Sequence, residues 1–267
     1  MTTTDRSITP ITGSWIMFQR MLAIYRNAPA VPAVMLAAPM GMMLLFGFVF
    51  GGALAGDQDA TAYRAFLTPG ILVLVAAMGL PATASTVNAD LRSGLTDRIR
   101  ALPVPPIAVP AGIVLAELVT GALAFLAMGA VGYLAGWRIE GSATDVALAV
   151  LLLLAFRCTL SWLGVVLGAA IRDEQVLQQV APLIFGAIMF SNVFVPTATM
   201  PAVLATIAEW NPVSSVVAAL RHLFAGTAAD PDAAFPLSHP IAASFLWIAV
   251  LLAISIPAAV RRYAITR

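Results

Sequence analysis

Residues 146–170 read VALAVLLLLAFRCTLSWLGVVLGAA, and this stretch decides the class of fold. Arg157 is the only charged residue in it. A helix needs about 20 mostly apolar residues to cross the hydrocarbon core of a bilayer, which is roughly 30 Å thick. The rest of the chain is similar, since 61% of its residues are hydrophobic, 10% are charged and its mean hydropathy is +0.94. The sequence therefore predicts a helical integral membrane protein.

Five further apolar runs flank this stretch on both sides. The predicted fold is an all-α membrane protein with six transmembrane helices, in which residues 1–267 form a single transmembrane domain. Pro39 and Pro81 are expected to kink the first and second helices. The small-residue pair Gly164/Gly168 would let the fourth helix approach a neighbour closely. The six predicted spans are 30–52, 66–88, 107–136, 146–170, 177–195 and 241–260.

The N-terminal region reads as an amphipathic helix over residues 14–28. A helix with one apolar and one polar side typically lies in the membrane interface. A helix packed on a soluble domain is the alternative interpretation. At the helical period the apolar side holds Met17, Phe18, Met21, Leu22, Ile24 and Tyr25, and the polar side holds Gln19, Arg20, Arg26 and Asn27.

Residues 196–226, between the fifth and sixth spans, are apolar but divided by turn signals. Asn211 is expected to cap a second short helix that begins at Pro212 and stops at Gly226. Both helices of this segment are too short to span the bilayer. We expect an outer re-entrant pair, whose backbone ends must be covered by protein or water, with a helical cap on the surface as the alternative.

The arginines predict the orientation, because cytoplasmic loops carry an excess of basic residues. All 14 basic residues are arginine. With both termini in the cytoplasm, ten arginines lie inside and three lie outside, and Arg157 lies within a span. We therefore expect a multi-pass protein of the plasma (inner) membrane. The inner set is Arg6, Arg20, Arg26, Arg92, Arg98, Arg100, Arg172, Arg261, Arg262 and Arg267, and the outer set is Arg64, Arg138 and Arg221.

Two charges fall deep inside predicted spans. Glu117 and Arg157 each lie about 15 Å or more from the nearer end of their helix at 1.5 Å per residue. An unpaired charge at that depth is costly, so each needs a partner or a wet cavity. Because the two spans are antiparallel neighbours, we expect Glu117 and Arg157 to pair. The sequence leaves two roles open for this pair, a structural clasp and a site for a substrate or a proton. Exchange of the two side chains is expected to rescue either single alanine variant.

The sequence argues against an enzyme. Without lysine, the chain cannot contain a GxxxxGK[ST] phosphate loop. His222 and His239 lie in outer loops without neighbouring ligands at zinc spacing. We expect no catalytic residue, no metal site and no cofactor in this chain, and the net charge of +1 gives no sign of a nucleic-acid partner. Transport or a scaffolding role remains.

Residues 90–106, DLRSGLTDRIRALPVPP, form a polar and stiff segment between the second and third spans. A transporter without a nucleotide site takes its energy from an ion gradient or from a partner ATPase. The loop 89–106 suits the second route, because charges offer a docking surface, a glycine permits a turn and prolines stiffen the return. The residues of this predicted coupling loop are Asp90, Arg92, Gly94, Asp97, Arg98, Arg100, Leu102 and Pro103.

The chain resembles the permease subunits of ABC type-2 transporters, and within them the daunorubicin-resistance branch. The segment from Asp90 to Pro105 is similar to the coupling loop of that family. A second block, FSNVFVPTATMPAVLATIAEWNPVSSVVAALR over residues 190–221, is similar to the outer region of that branch. The family often has basic residues where this chain has Pro106 and Ile113, so a docking or phosphate-binding role at those two positions is not carried over.

The resemblance implies an exporter of hydrophobic drugs or lipids that works by alternating access. It implies an ATP-binding subunit that carries ATP and Mg²⁺, a second permease subunit that is identical or a paralogue, and a lipid bilayer as surroundings. The expected lining of the transport path is Thr83, Ser85, Thr86, Ser191 and Asn192. The alternative is that these polar groups only form hydrogen bonds between helices. A gradient-driven multidrug carrier and a non-transporting scaffold are the alternatives. The expected outer lid comprises Asn192, Phe194, Pro196, Met200, Trp210, Asn211 and Arg221.

Overall fold

The computed structural model describes residues 9–28, 30–49, 60–94, 105–227, 231 and 233–265, and all regular elements within these ranges are helical. The α-helices are α1 Pro10–Asn27, α2 Ala30–Leu44, α3 Ala60–Ala77, α4 Gly79–Arg92, α5 Ala108–Leu134, α6 Ala143–Ala170, α7 Glu174–Met189, α8 Ala202–Glu209, α9 Pro212–Ala225, α10 Phe235–Ser238 and α11 Pro240–Ile265. A π-helical turn, Leu45–Val49, continues α2, and a 3₁₀ turn, Thr197–Thr199, precedes α8.

Four helical stretches in the described ranges are long and apolar enough to cross a membrane. They match the second, third, fourth and sixth predicted spans. The number becomes five if α8 and α9, which meet at 75°, count as one broken span. The protein is therefore a multi-pass helical membrane protein. The four stretches are Ala62–Arg92, Ala108–Leu134, Ala143–Ala170 and Pro240–Tyr263, with 31, 27, 28 and 24 residues.

The fifth predicted span ends earlier in the structure than expected, and the first can be followed only as far as Val49. Helix α2 has 15 residues before its π-helical turn, and residues 50–52 lie outside the described part of the chain. Helix α7 has 16 residues, which is about 24 Å at 1.5 Å per residue. It ends at Met189 rather than at residue 195, because the Asn211 side chain donates to the carbonyl oxygens of Ala187 and Phe190 at its end.

The second predicted span is broken, as its proline suggested. Helix α3 ends at Ala77 and α4 begins at Gly79, so the break falls at Met78, three residues before Pro81. Proline has no N–H to donate to the carbonyl four residues earlier, and its ring crowds that carbonyl. For Pro81 that carbonyl belongs to Ala77, the last residue of α3. The broken span still continues from Ala62 to Arg92.

The centre of the bundle is formed where α4 packs against α6. A Cβ atom at Gly164 would lie 2.5 Å from the carbonyl oxygen of Leu80, and one at Gly168 would collide with the carbonyl oxygen of Ala84. Only glycine allows the two backbones to come this close. The predicted role of the Gly164/Gly168 pair in close packing agrees with this geometry.

Helix α1 lies against α5 rather than standing apart from the bundle. A Cβ at Gly112 of α5 would collide with Met17, so the two helices are in close contact there. Met21 is buried in a cluster with Val109 and Ile113 of α5. Part of the apolar side that the sequence assigned to the membrane therefore packs on the third span.

The segment between α7 and α11 has the caps that the sequence predicted. Asn211 accepts a hydrogen bond from the Val213 N–H through its side-chain oxygen, with Pro212 as the first residue of α9. Gly226 ends α9 in the left-handed conformation with φ of 60°. Helix α8 begins after Pro201 and stops before the Asn211–Pro212 pair.

Candidate functional site

Glu117 on α5 and Arg157 on α6 meet in the interior of the bundle. The Arg157 Nη2 atom lies 2.7 Å from Glu117 Oε2. The two residues are 1% and 6% exposed. The structure thus brings together the two charges that the sequence placed at the same depth.

Arg157 makes two further contacts that the sequence did not suggest. Its Nε donates to the main-chain oxygen of Glu117 over 2.8 Å, and its Nη1 donates to the main-chain oxygen of Val75 over 3.0 Å. Val75 lies in the last turn of α3, where carbonyl groups have no donor within their own helix. A cation at a helix C-terminus is also favoured by the helix dipole. Arg157 therefore closes the end of α3 as well as pairing with Glu117.

Two glycines make room for the Arg157 side chain. A Cβ at Gly121 would collide with Cδ and Nε of Arg157, and a Cβ at Gly79 would lie 3.2 Å from its Cζ. Gly121 is one helical turn after Glu117, on the same side of α5. Gly79 is the first residue of α4, directly after the break in the second span. The arginine therefore occupies a slot between the break and α5.

The enclosure of this pair favours a structural clasp over a substrate or proton site. The described donors of Arg157 point at protein oxygens rather than at an open cavity. A substrate would first have to break these bonds to reach the guanidinium. Removing one partner of a buried pair leaves an uncompensated charge and typically costs about 3–5 kcal/mol.

The predicted coupling loop begins at a second ion pair. Arg20 of α1 contacts Asp90 of α4 through two parallel bonds, Nη1 to Oδ2 and Nη2 to Oδ1, each 2.8 Å long. These bonds raise the pKa of the Arg20 guanidinium above its usual value. Asp90 is 7% exposed. The Asp90 carboxylate is therefore occupied by Arg20, and this pair ties α1 to the end of α4; the docking role of Asp90 stays a prediction.

The remaining loop residues fall into two groups. Arg92 is exposed and pairs with Glu174 of α7 on the surface. Gly94 has φ of 68°, so the chain turns there in a conformation that favours glycine. The other predicted coupling residues lie outside the described part of the chain and stay predictions: Asp97, Arg98, Arg100, Leu102 and Pro103.

Arg221 of α9 is buried, although the sequence placed it in an outer loop. It is 8% exposed, and its Cζ lies 3.4 Å from the centroid of the Phe66 ring. Its Nε donates to the main-chain oxygen of Phe66, and its Nη2 donates to those of Asn192 and Val193. The side chain therefore ties α9 to α3 and to the non-helical backbone after α7.

The structure brings part of the predicted outer lid together. The Asn192 main-chain N–H donates to Ser214 Oγ of α9, and its side-chain amide donates to the Ser214 main-chain oxygen. The Phe194 ring packs on Phe46 with centroids 4.7 Å apart. Trp210 is 53% exposed at the junction of α8 and α9. Pro196 is also exposed, and Met200 is half-buried.

The polar residues that were expected to line a path are mostly used within their own helices. Thr83 and Thr86 donate to the carbonyl oxygens of Gly79 and Ala82, one turn earlier. Ser191 donates to the carbonyl oxygen of Ile188. Ser85 is exposed beside the Arg92–Glu174 pair. The three bonded hydroxyls thus already donate to main-chain oxygens, and Thr83 and Ser191 are buried.

A metal centre has no basis in the described ranges, where no three potential ligands among histidine, cysteine, aspartate and glutamate come together. His222 contacts the main-chain oxygen of Thr227, and His239 contacts the hydroxyl of Ser238.

Sequence reasoning found the Glu117–Arg157 pair but missed the other partners of the charged residues. Arg20 was assigned to a polar surface, and Gly79 and Gly121 were not singled out. The spacing of Gly121, four residues after Glu117, was a usable signal, because it marks a gap beside a charge on one side of a helix. The pairing of Arg20 with Asp90 joins positions 70 residues apart and has no local signal.

Comparison with known proteins agrees with the resemblance carried by residues 90–106 and 190–221. A family model described as ABC-2 type transporter matches residues 13–225, which include both segments. The daunorubicin resistance ABC transporter permease protein DrrB1 of Streptomyces coeruleorubidus is 30% identical over 210 residues, which are 78% of this chain and 74% of that protein. The family predicted from the sequence motifs is thereby confirmed. The chain belongs to the ABC-2 type transporter family and is a multi-pass membrane permease.

Proposed function

We propose that this chain is the permease subunit of an ATP-driven exporter that moves hydrophobic drugs or lipids out across the plasma membrane. The observation that carries the proposal is its 30% identity over 210 residues with a permease named for daunorubicin resistance. The absence of lysine from the sequence rules out a lysine-containing phosphate loop. ATP would therefore bind and be hydrolysed, with Mg²⁺, on a separate ATP-binding subunit.

The proposed topology has six spans with both termini in the cytoplasm. The spans are α2 with its π-helical turn, α3 with α4, α5, α6, α7 and α11. Helix α1 lies in the inner interface, and α8 with α9 dips into the membrane from the outer side. Ten inner arginines against three outer ones support this orientation. Asn211 and Ser214 satisfy backbone groups around the bend, which is what a re-entrant segment requires.

The coupling loop 89–106 would receive the conformational change of the ATP-binding subunit and pass it to the membrane helices. Its first part is anchored to the bundle, because Asp90 is held by Arg20 and Arg92 pairs with Glu174. A displacement of the loop would therefore be passed to α1, α4 and α7 together. Two permease subunits, identical or paralogous, would rock between inward-open and outward-open states around the path.

The outer segment supports the proposed cargo class. Phe194, Met200 and Trp210 give this region an apolar surface that suits an amphiphilic cargo and makes a poor lining for sugars or ions. The bonds from Arg221 and Asn192 would hold this lid against α3 and α7 when the path is closed.

The proposal is tested by reconstituting the chain in liposomes with a candidate ABC ATP-binding subunit from the same organism and following daunorubicin transport. We expect transport that requires ATP, survives an uncoupler and is lost without the ATP-binding subunit. Transport by the permease alone that an uncoupler abolishes would instead indicate a gradient-driven carrier. Binding of the ATP-binding subunit without any flux would indicate a scaffold.

The docking role of the loop is tested by changing Arg98 and Arg100 to glutamate. The paired change is expected to weaken co-purification with the ATP-binding subunit and to lower ATP-dependent transport. Arg261→Glu, at the exposed end of α11, is the matched control and should leave both unchanged. Normal binding and transport in the Arg98/Arg100 variant would remove the docking assignment.

A further inference from the structure

An apolar groove opens on the side of the bundle between α5 and α6. Its volume is about 520 Å³. The wall from α5 includes Phe125, Gly129 and Tyr133, and the wall from α6 includes Val150 and Leu154. Neither the Glu117–Arg157 pair nor the predicted lid residues line it. The groove is therefore separate from the sites described above.

The groove has the length of one leaflet of a bilayer. It runs along α5 from Ala122 to Tyr133, which corresponds to about 16 Å of helix at 1.5 Å per residue. The hydrocarbon core is roughly 30 Å thick, so one leaflet provides about half of that. A Cβ at Gly129 would meet no atom within 4 Å, so this glycine leaves the middle of the groove open. The shape fits one extended acyl chain.

The end of α5 places Arg138 between Trp137 and Ile139, two residues that line one end of this groove. The N–H of Trp137 donates to the carbonyl of Gly132 over 2.9 Å, and the N–H of Gly136 donates to that of Tyr133 over 3.1 Å. Gly136 has φ of 101°, so the helix ends in a Schellman motif. This turn brings the guanidinium carbon of Arg138 to 4.1 Å from the centroid of the Tyr133 ring.

Arg138 keeps donors for an anionic group. The side chain is exposed, and Nη1 donates to the carbonyl oxygens of Tyr133 and Trp137. A guanidinium has five N–H donors, so those on Nε and Nη2 remain for a ligand. Arginine binds phosphate through paired, charge-assisted hydrogen bonds. The nearby Asp145 carboxylate is already engaged by the N–H and the hydroxyl of Ser142, and Glu140 is exposed two residues beyond Arg138.

We propose that this groove is a binding site for a membrane glycerophospholipid, with one acyl chain between α5 and α6 and the phosphate on Arg138. The apolar wall excludes sugars and peptides, because it gives their polar groups no hydrogen-bond partners. A phospholipid instead matches both the apolar groove and the cation at its mouth. The site is separate from the transported cargo and does not depend on ATP.

The test uses the full-length protein in vesicles of phosphatidylethanolamine and phosphatidylglycerol, with a small fraction of phosphatidylglycerol carrying a diazirine in one acyl chain. After illumination, mass spectrometry locates the labelled peptides. We expect labelling concentrated in residues 125–133 and 146–154. The exposed apolar side of α11, with Leu246, Val250 and Ile254, reports ordinary contact with lipid and should be labelled much less.

Two variants separate the two parts of the site. Gly129→Phe fills the groove where a side chain has open space, so groove labelling should fall to the level of α11. Gly41→Phe is the matched control, since a Cβ at Gly41 also meets no atom within 4 Å and lies outside the groove. Arg138→Gln should lower the labelling about tenfold, as expected for the loss of a charged hydrogen bond. Circular dichroism and size-exclusion chromatography check that each variant is folded.

Equal labelling of the groove and of α11 in the wild type would overturn the proposal, because it would show ordinary annular lipid only. Unchanged labelling in folded Gly129→Phe would also overturn it. If the wild-type label disappears when the permease dimerises, a second copy of the chain occupies the groove and the phospholipid assignment is wrong. Should Gly129→Phe fail to fold, Ala130→Leu, at an exposed position in the same wall, provides the same test.

Discussion

Arg157→Met removes the cation that joins three parts of the bundle. The side chain makes three described hydrogen bonds, of which one goes to the Glu117 carboxylate and two go to main-chain oxygens of Glu117 and Val75. Loss of one partner from a buried ion pair typically costs about 3–5 kcal/mol. We expect Arg157→Met to fall in this range, because it also leaves the carbonyl at the end of α3 without its donor.

Glu117→Gln should cost less. Arg157 keeps both main-chain acceptors in this variant, and the glutamine oxygen can still accept a hydrogen bond. We expect a loss of about 3 kcal/mol, at the lower end of the range for a broken buried pair, because Arg157 loses its counter-charge but keeps its hydrogen-bond acceptors. Exchange of the two side chains should rescue only in part, because an arginine at position 117 starts from α5 and cannot reproduce the bonds that Arg157 makes from α6. The structure thereby limits the rescue expected from the sequence to a partial one.

Unfolding of the purified variants in mild detergent, with increasing dodecyl sulfate and a fluorescence readout, measures these differences. Cys158→Ala, the neighbouring position on α6, is the matched control for a change in that helix. If the exchange variant regained wild-type stability, or if Glu117→Gln lost as much as Arg157→Met, the main-chain contacts of Arg157 would not matter and the reasoning would be refuted.

Three further perturbations follow from the described contacts. Arg20→Ala should lower ATP-coupled transport and the thermal stability of the protein, because it breaks the junction of α1 and α4. Arg92→Ala breaks an exposed pair worth about 0–1 kcal/mol and should leave both nearly unchanged. A thermal-shift measurement and the transport assay compare the two variants. Gly168→Ala should destabilise by about 1–3 kcal/mol, because its Cβ would collide with the Ala84 carbonyl, and equal loss in Gly41→Ala would contradict this origin. Asn211→Ala removes a helix cap and two bonds to α7, so limited proteolysis should cut near the bend sooner; no change would argue against this role.

The class of fold was predictable because it depends on length and apolarity. A run such as residues 146–170 has no stable place outside a membrane or a large core. The caps at Asn211 and Gly226 were predictable because they depend on local residue chemistry. The depth of Glu117 and Arg157 was predictable from helix rise alone, and two neighbouring antiparallel spans bring equal depths together.

The contacts of Arg20, Arg221 and Val75 were not predictable in the same way. The contact of Arg20 joins two segments far apart in the chain, and those of Arg221 and Val75 depend on where three segments meet. A main-chain acceptor such as the Val75 carbonyl has no signature in the sequence. Arg221 has the sequence features of a loop arginine, yet backbone oxygens and the Phe66 ring surround it. The end of α7 at Met189 was also missed, because the apolar run continues to residue 195. The Asn211 side chain donates hydrogen bonds to the carbonyl oxygens of Ala187 and Phe190 at this end, and that contact has no signal in the sequence.

Helix α4 is held at both of its ends and along its length. Arg157 fills the slot at Gly79 where α4 begins, and Arg20 holds Asp90 near its other end. Between these points, Gly164 and Gly168 of α6 leave no room for the two backbones to approach further. These hydrogen bonds and the close packing resist displacement of α4 relative to α6. A push on the loop that follows α4 would therefore act at the break at Met78, where the helical hydrogen bonding of the second span is interrupted.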